Sequence, residues 1–194
     1  MTMKDRTKLM FAEELANILE SKPFDKVRVL DLCKRCGATP QTFYYHFKDK
    51  YDLAAWVFLH DYAVIMSDNE PEYSAERIAE MTKQMDTKRS FYQKAFTDHS
   101  QNAVSKYIVD FNVRNCCQII LATTGQEVTE QQLTEIKYHN YGTLGLFIEW
   151  LNDELNINIE EWAKLQYDRT PEFLREAFRK YSYSRSEILG EIEQ

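Results

Sequence analysis

Between Gln41 and Lys50 the chain sets Gln41, Thr42, Tyr44, Tyr45, His46 and Lys50 in close succession, with Phe43 and Phe47 four apart among them. These side chains donate and accept hydrogen bonds, stack and carry positive charge, but they form none of the clusters that catalysis needs. The chemistry they suit is recognition. In a helix, Phe43 and Phe47 share one face and the polar and aromatic groups crowd the other within about a turn and a half. An apolar anchor beneath a polar-aromatic outer face suits insertion into a DNA major groove.

Such a face needs elements that hold it out. Upstream, Val29, Leu32, Cys33 and Cys36 repeat at the spacing of one apolar helix face. Gly37 stops that helix, because the residue just past a helix end often needs positive φ. Thr39 can cap the next helix with its hydroxyl, and Pro40 suits its first position, where no amide hydrogen is required. Two short helices joined by a tight turn result, a helix-turn-helix. A first helix over 4–21 buries Phe11, Leu15, Ile18 and Leu19, and Phe24 closes the small core. Lys4, Arg6 and Lys8 either lie over phosphates or form a solvated terminus.

With these residues in view, the run from Thr42 to Lys50, behind the Gly37 turn and ahead of the Leu53 helix, resembles the DNA-binding signature of TetR-type (tetracycline-repressor family) regulators. The resemblance covers roughly residues 8–60. It implies an all-α protein: an N-terminal three-helix helix-turn-helix domain followed by a C-terminal helical ligand and dimerisation domain. It also implies roles for single residues. Gln41 and Thr42 would reach base edges, and Tyr44 a base methyl or a phosphate. Tyr45, His46 and Lys50 would hold the DNA backbone, and Arg28 would touch phosphate at the start of the preceding helix. The family often has Thr or Ser where Val29 stands, and Val29 offers neither a side-chain cap nor a phosphate contact. More loosely, Phe43–Phe47, Tyr51-Asp52-Leu53 and Phe91-Tyr92-Gln93-Lys94 resemble the dihydroxyacetone-kinase regulator branch, which includes a regulator working with a ligand-sensing partner protein.

The bulk numbers fit this division. Five Gly and four Pro in 194 residues disfavour a turn-rich β architecture. The net charge of −7 is unevenly spread: ten basic and seven acidic residues up to Lys50 give +3, while fourteen basic and twenty-four acidic residues beyond it give −10. Positive charge gathers where phosphates would be met. No run of about eighteen apolar residues and no secretory signal occurs, so neither a membrane span nor export is expected, and cytoplasm follows by default. Cys33 and Cys36 fall on the apolar helix face and read as core thiols. His46, His60, His99 and His139 show no compact metal spacing. Neither metal nor cofactor is expected.

The expected division is a reading head over 1–50 and a helical body over 51–194. In the body, helices are expected over 51–66, 74–85, 90–96, 103–122, 129–155, 158–167 and 171–183. Ser67–Pro71 and Asp98–Asn102 are read as breaks, and Thr170-Pro171 as a second cap-plus-proline start. Gly142 and Gly145 inside a long helix cost about 1 kcal/mol each relative to Ala, which close approach of another helix or a ligand would explain. A homodimer through that helix and the tail is therefore expected, presenting two heads to double-stranded DNA. Phe91, Tyr92, Tyr107, Phe111, Tyr138, Tyr141 and Trp150 are the aromatics assigned to a small-molecule pocket of unknown ligand. An adaptor acting through a protein partner is the competing reading. A small helical enzyme is disfavoured, since no Gly-rich phosphate loop or nucleophile elbow is present.

Overall fold

Short polar side chains set the start of four helices. The hydroxyl of Thr39 accepts the Thr42 amide at 3.2 Å, that of Ser74 accepts Arg77 at 3.2 Å and that of Thr129 accepts Gln132 at 3.2 Å, while Asn158 Oδ1 accepts Glu161 at 2.9 Å. Each satisfies an amide that a first helical turn leaves unpaired. At Thr129 and Asn158 the bond is reciprocal, because Gln132 and Glu161 reach back to the capping residue's own amide.

The computed structural model describes residues 3–66, 73–96 and 104–182, apart from the side chains of residues 3, 4 and 66. Its helices are α1 (Met3–Ser21), α2 (Val29–Arg35), α3 (Pro40–His46), α4 (Lys50–Met66), α5 (Ala75–Asp86), α6 (Arg89–Phe96), α7 (Val104–Thr124), α8 (Glu130–Leu151), α9 (Ile159–Arg169) and α10 (Glu172–Phe178). Among the described residues there is no strand, and no helix is long and apolar enough to cross a membrane. The fold is all-α. The breaks expected at Ser67–Pro71 and Asp98–Asn102 lie outside the described residues.

α1, α2 and α3 pack together at one end, and α4 leads from them into the body, where it meets α5 and α7. One apolar cluster runs without interruption from Phe11 and Phe43 through Trp56 to Ile119 and Trp162. Residues 52–59 of α4 are all buried, more than the single stripe expected of it. A helix enclosed on every side needs apolar residues all round. Its start is firmly fixed. Asp49 Oδ1 accepts the amides of Tyr51 at 2.8 Å and Asp52 at 2.9 Å, and Asp52 Oδ2 accepts that of Lys48 at 2.8 Å.

α6 joins both ends of the molecule. Lys94 donates to the carbonyls of Leu19 and Glu20 at the end of α1. Arg89 donates to the Trp150 carbonyl at 2.6 Å and to Asp153 at 2.7 Å, and Gln93 to the Leu151 carbonyl at 2.6 Å, all at the end of α8. Just before α6, Lys88 meets Asp61 of α4 at 2.6 Å, and the Tyr92 hydroxyl donates to the same carboxylate at 2.6 Å. Burial alone would raise the Asp61 pKa; hydrogen bonds from His60, Lys88 and Tyr92 outweigh it and hold the carboxylate below its ordinary value.

Three expected boundaries move, one of them the end of the last helix, which stops at Phe178 rather than near Tyr183. α8 ends at Leu151 rather than near Leu155, at the carbonyls that Arg89 and Gln93 occupy, and Asp153 then turns the chain with φ 61°. Thr170 caps nothing: its hydroxyl donates to the Gln166 carbonyl of α9 at 2.8 Å and lies 2.8 Å from the Tyr73 hydroxyl, so α10 starts without a side-chain cap.

Candidate nucleic-acid interface and interior cavity

The turn before α3 depends on one backbone conformation. Gly37 has φ +60°, and its amide donates to Lys34 O at 3.3 Å while that of Ala38 donates to Cys33 O at 2.9 Å. This pair of bonds closes α2 and reverses the chain. A Cβ on Gly37 would meet nothing within 4 Å, so glycine is required there for φ and not for space. α3 then lies over the head's core. Phe43 and Phe47 are 0% and 2% exposed, with the Phe11 ring edge-on to them at 5.2 and 6.4 Å.

On the outer side, Gln41 is exposed and Tyr44 and Tyr45 are 59% and 70% exposed. His46 is half-buried with its ring 4.9 Å from that of Tyr45. Thr42 is half-buried, its hydroxyl 2.9 Å from that of Thr39, so it shares the cap. Arg28 is exposed at the start of α2, which has no side-chain cap. Of the N-terminal cations, Arg6 is exposed and the Lys4 side chain lies outside the described residues. Lys8 departs from expectation: it is buried, its ammonium 5.8 Å from the Trp56 ring centre.

Lys50 departs further. Its ammonium donates to the carbonyls of Phe24 at 2.8 Å, Asp25 at 3.0 Å and Val27 at 3.2 Å, and lies over the rings of Phe24 and Tyr51. It is a clasp between α4 and the turn before α2, not the mobile backbone-holding charge expected. A cation on three carbonyls is held by charge-assisted bonds, which are the stronger kind. The thiols beside the turn are free; burial raises the pKa of Cys33 and, with Glu14 and Cys33 nearby, that of Cys36 to about 11.

The body holds a cavity of about 120 Å³ bounded by α4, α5, α7, α8, α9 and α10. None of the seven aromatics expected to form a pocket borders it. Phe91, Tyr92, Phe111 and Trp150 are buried in the core, with Trp150 Nε1 donating to Ile157 O at 3.2 Å. Tyr107 is half-buried. Tyr138 and Tyr141 stand on the outside of α8, 83% and 62% exposed. Helical spacing selected residues that pack, and packed residues fill space instead of leaving it.

The cavity opens where polar residues interrupt inward faces: Asn112 and Asn115 on α7, Asn140 and Thr143 on α8, and Gln166 on α9. Asn112 and Asn115 share the face of Ile108 and Ile119, and Asn140 that of Ile136, a signal visible in the sequence. Phe58 and Tyr62 bring α4 to the wall, and Arg77 brings α5. His139 also borders it, and burial lowers its pKa to about 4, leaving the ring neutral at pH 7. Cys116 is pushed up to about 12 by burial.

Residues 13–57 match the model of the bacterial regulatory proteins of the tetR family, and residues 70–168 match that of a transcriptional regulator C-terminal region. A curated relative, the HTH-type dhaKLM operon transcriptional activator DhaS of Lactococcus lactis subsp. lactis (strain IL1403), is 26% identical over 91 residues. The match covers 46% of this chain and 49% of that protein, about half the length of each. A solved structure, the dihydroxyacetone kinase operon activator DhaS, is similar with a TM-score of 0.54 over 84% of this chain and 92% of that one. At 17% identity this second likeness is one of fold.

Proposed function

The chain belongs to the tetR family of bacterial regulatory proteins and is a transcriptional regulator, and on that ground we propose that it acts as a homodimer on a palindromic operator, modulated by a small ligand. The observation that carries this reading is the outer face of α3. Gln41, Tyr44 and Tyr45 project from a helix anchored by buried Phe43 and Phe47, in the positively charged part of an acidic chain. We assign Gln41 to a base edge, where its amide pairs with adenine in two hydrogen bonds. Thr42 sits beside it, Tyr44 contacts a base methyl or phosphate, and Tyr45, His46 and Arg28 hold the backbone. Lys50 positions the head by its clasp on the turn before α2.

Residues 1–50 serve as the reading head and 51–194 as the body. The dimer seam is the outer face of α8, where Tyr138, Tyr141, Gly142 and Gly145 are exposed together. It sets two heads about 34–36 Å apart, or a multiple of that. An occupant of the cavity bears on α4 through Phe58 and Tyr62, and α4 carries that contact to the head. The protein regulates an operon from the cytoplasm, as its Lactococcus relative is named an operon activator.

The test is selection of bound fragments from genomic DNA, followed by titration of the winners at several salt concentrations. The expected outcome is an inverted repeat whose binding weakens steeply with salt, by a slope of about 0.9 per phosphate contacted. A chain that retains no DNA even at low salt would overturn the reading.

A further inference from the structure

The cavity wall is selective in its charge. Among the described residues, no Asp, Glu or Lys borders it, and the one formally charged side chain there is Arg77, in a chain whose net charge is −7. Arg77 stands in the first turn of α5, where the helix dipole adds to its positive field. Its guanidinium places Nη1 on Glu80 Oε2 at 2.8 Å, and Glu80 is 59% exposed. One of five N–H groups is thus engaged, on a carboxylate shared with solvent.

Four other polar side chains on the wall are neutral and ready to bond. Among the described residues, the side chains of Asn112, Asn115, Thr143 and Gln166 make no hydrogen bond to the protein, although all four border the cavity and are half-buried. Half-buried amides with no protein partner favour a ligand or water that completes them. The remaining wall is mostly apolar and aromatic, with Phe147 and Trp162 6.3 Å apart and Met81 and Met85 also on it, while its Thr82 and Asn140 already bond to carbonyls of their own helices. A volume of about 120 Å³ is close to the roughly 150 Å³ that admits benzene, so the cavity takes the body of one small ring.

These features discriminate among ligand charges. A cation would meet no anion on the wall. A dianion such as a phosphate ester would face one guanidinium already half-shared with Glu80, leaving buried charge uncompensated. A monoanion with a flat apolar body meets both requirements. We propose that the cavity binds a small carboxylate carried on an aromatic or similarly flat apolar body, with the carboxylate on Arg77 and the side-chain amides and the body against Phe147 and Trp162. This deepens the reading that a ligand modulates the regulator, and rests on it.

The experiment uses three probes of one shape and different charge, benzoate, benzamide and benzylamine, titrated into the full chain by calorimetry and thermal shift without DNA. Benzoate is expected to bind about tenfold or more tighter than benzamide, the worth of a hydrogen bond to a charged group. Benzylamine is expected to have no effect. Arg77→Gln should bring benzoate down to the benzamide level while the unliganded chain keeps its helicity and melting temperature, since a partly exposed ion pair contributes little. Glu80→Gln, a surface change that leaves the wall intact, should strengthen benzoate several-fold and leave benzamide unchanged, and it serves where Arg77→Gln does not fold. Equal binding of benzoate and benzamide, no probe bound at millimolar concentration, or indifference of benzoate to both variants would each overturn the proposal. Because DNA is absent, none of these outcomes depends on the operator reading, which stands or falls by the fragment selection.

Discussion

Two helices of this molecule each hold a pair of tyrosines out to solvent, and they do so in opposite settings. On α3, Tyr44 and Tyr45 are 59% and 70% exposed on a helix of seven residues whose underside is pinned by Phe43 and Phe47. On α8, Tyr138 and Tyr141 are 83% and 62% exposed on a helix of twenty-two residues, beside two glycines where an added Cβ would meet nothing within 4 Å. The first pair stands in a segment of net charge +3, the second in a remainder of −10. Exposed tyrosine suits many partners, because it joins a large apolar ring to a hydrogen-bonding tip. Its surroundings decide which. A short projecting helix amid positive charge fits a polyanionic groove, whereas a long helix with bare glycines leaves room for a second helix to approach closely.

The largest expected effect comes from charging the longer helix. Tyr138→Glu with Tyr141→Glu should raise the dimer dissociation constant about 100-fold or more, some 3 kcal/mol, as for paired interface hot spots. Sedimentation would read the mass while circular dichroism checks that helicity is unchanged. A variant that remains dimeric would break the comparison, all the more if Tyr44→Glu with Tyr45→Glu gave a monomer.

Next comes Lys50→Met, which removes three carbonyl bonds to one cation and should cost about 2–3 kcal/mol in urea denaturation. Its salt dependence of DNA binding should stay unchanged. A slope reduced by about one unit would return Lys50 to the phosphates. Gln41→Ala should lower discrimination at one base pair per half-site by about 1–3 kcal/mol, read on a panel of single-base operator variants, without altering stability. An even loss across the panel would mean that α3 lies differently in the groove.

The last effect is read against pH and belongs to the cavity wall. The folded pKa of His139 is near 4, below the ordinary 6.5, so the fold favours its neutral ring. Its contribution is intact above about pH 6.5 and is lost as pH falls toward about 4, with a slope of at most about 1.4 kcal/mol per pH unit. Subtracting the curve of His139→Gln from that of the parent chain isolates this slope, and parallel curves would refute it.

Local signals in the sequence were enough for the head. The cap at Thr39, the proline after it, the glycine at positive φ and the paired phenylalanines all act within a few residues, so α3 and its anchor face could be read directly. Lys50 could not. Its three carbonyls lie twenty-three to twenty-six residues back, and a lysine beside an aspartate looks like ordinary surface until the chain closes on it. The early end of α8 has the same kind of cause, since Arg89 arrives from sixty-one residues away to take the Trp150 carbonyl. The cavity eludes the aromatic pattern for a different reason. Aromatic spacing marks packed core, whereas the space lies beside asparagines that interrupt apolar faces, where packing is incomplete.

The residues from Lys88 to Lys94 have a further consequence, which concerns length. Lys88, Arg89, Tyr92, Gln93 and Lys94 reach three different helices from successive positions of one short spiral. Each residue advances the direction of a side chain by about 100°. One residue inserted after Phe91 would leave Lys88 and Arg89 aimed at α4 and α8 but swing Gln93 and Lys94 away from α8 and α1. Substitutions here loosen one attachment at a time. A change of register disturbs a bond to each of α4, α8 and α1 at once, through Tyr92, Gln93 and Lys94, so this segment tolerates altered letters far better than an altered count.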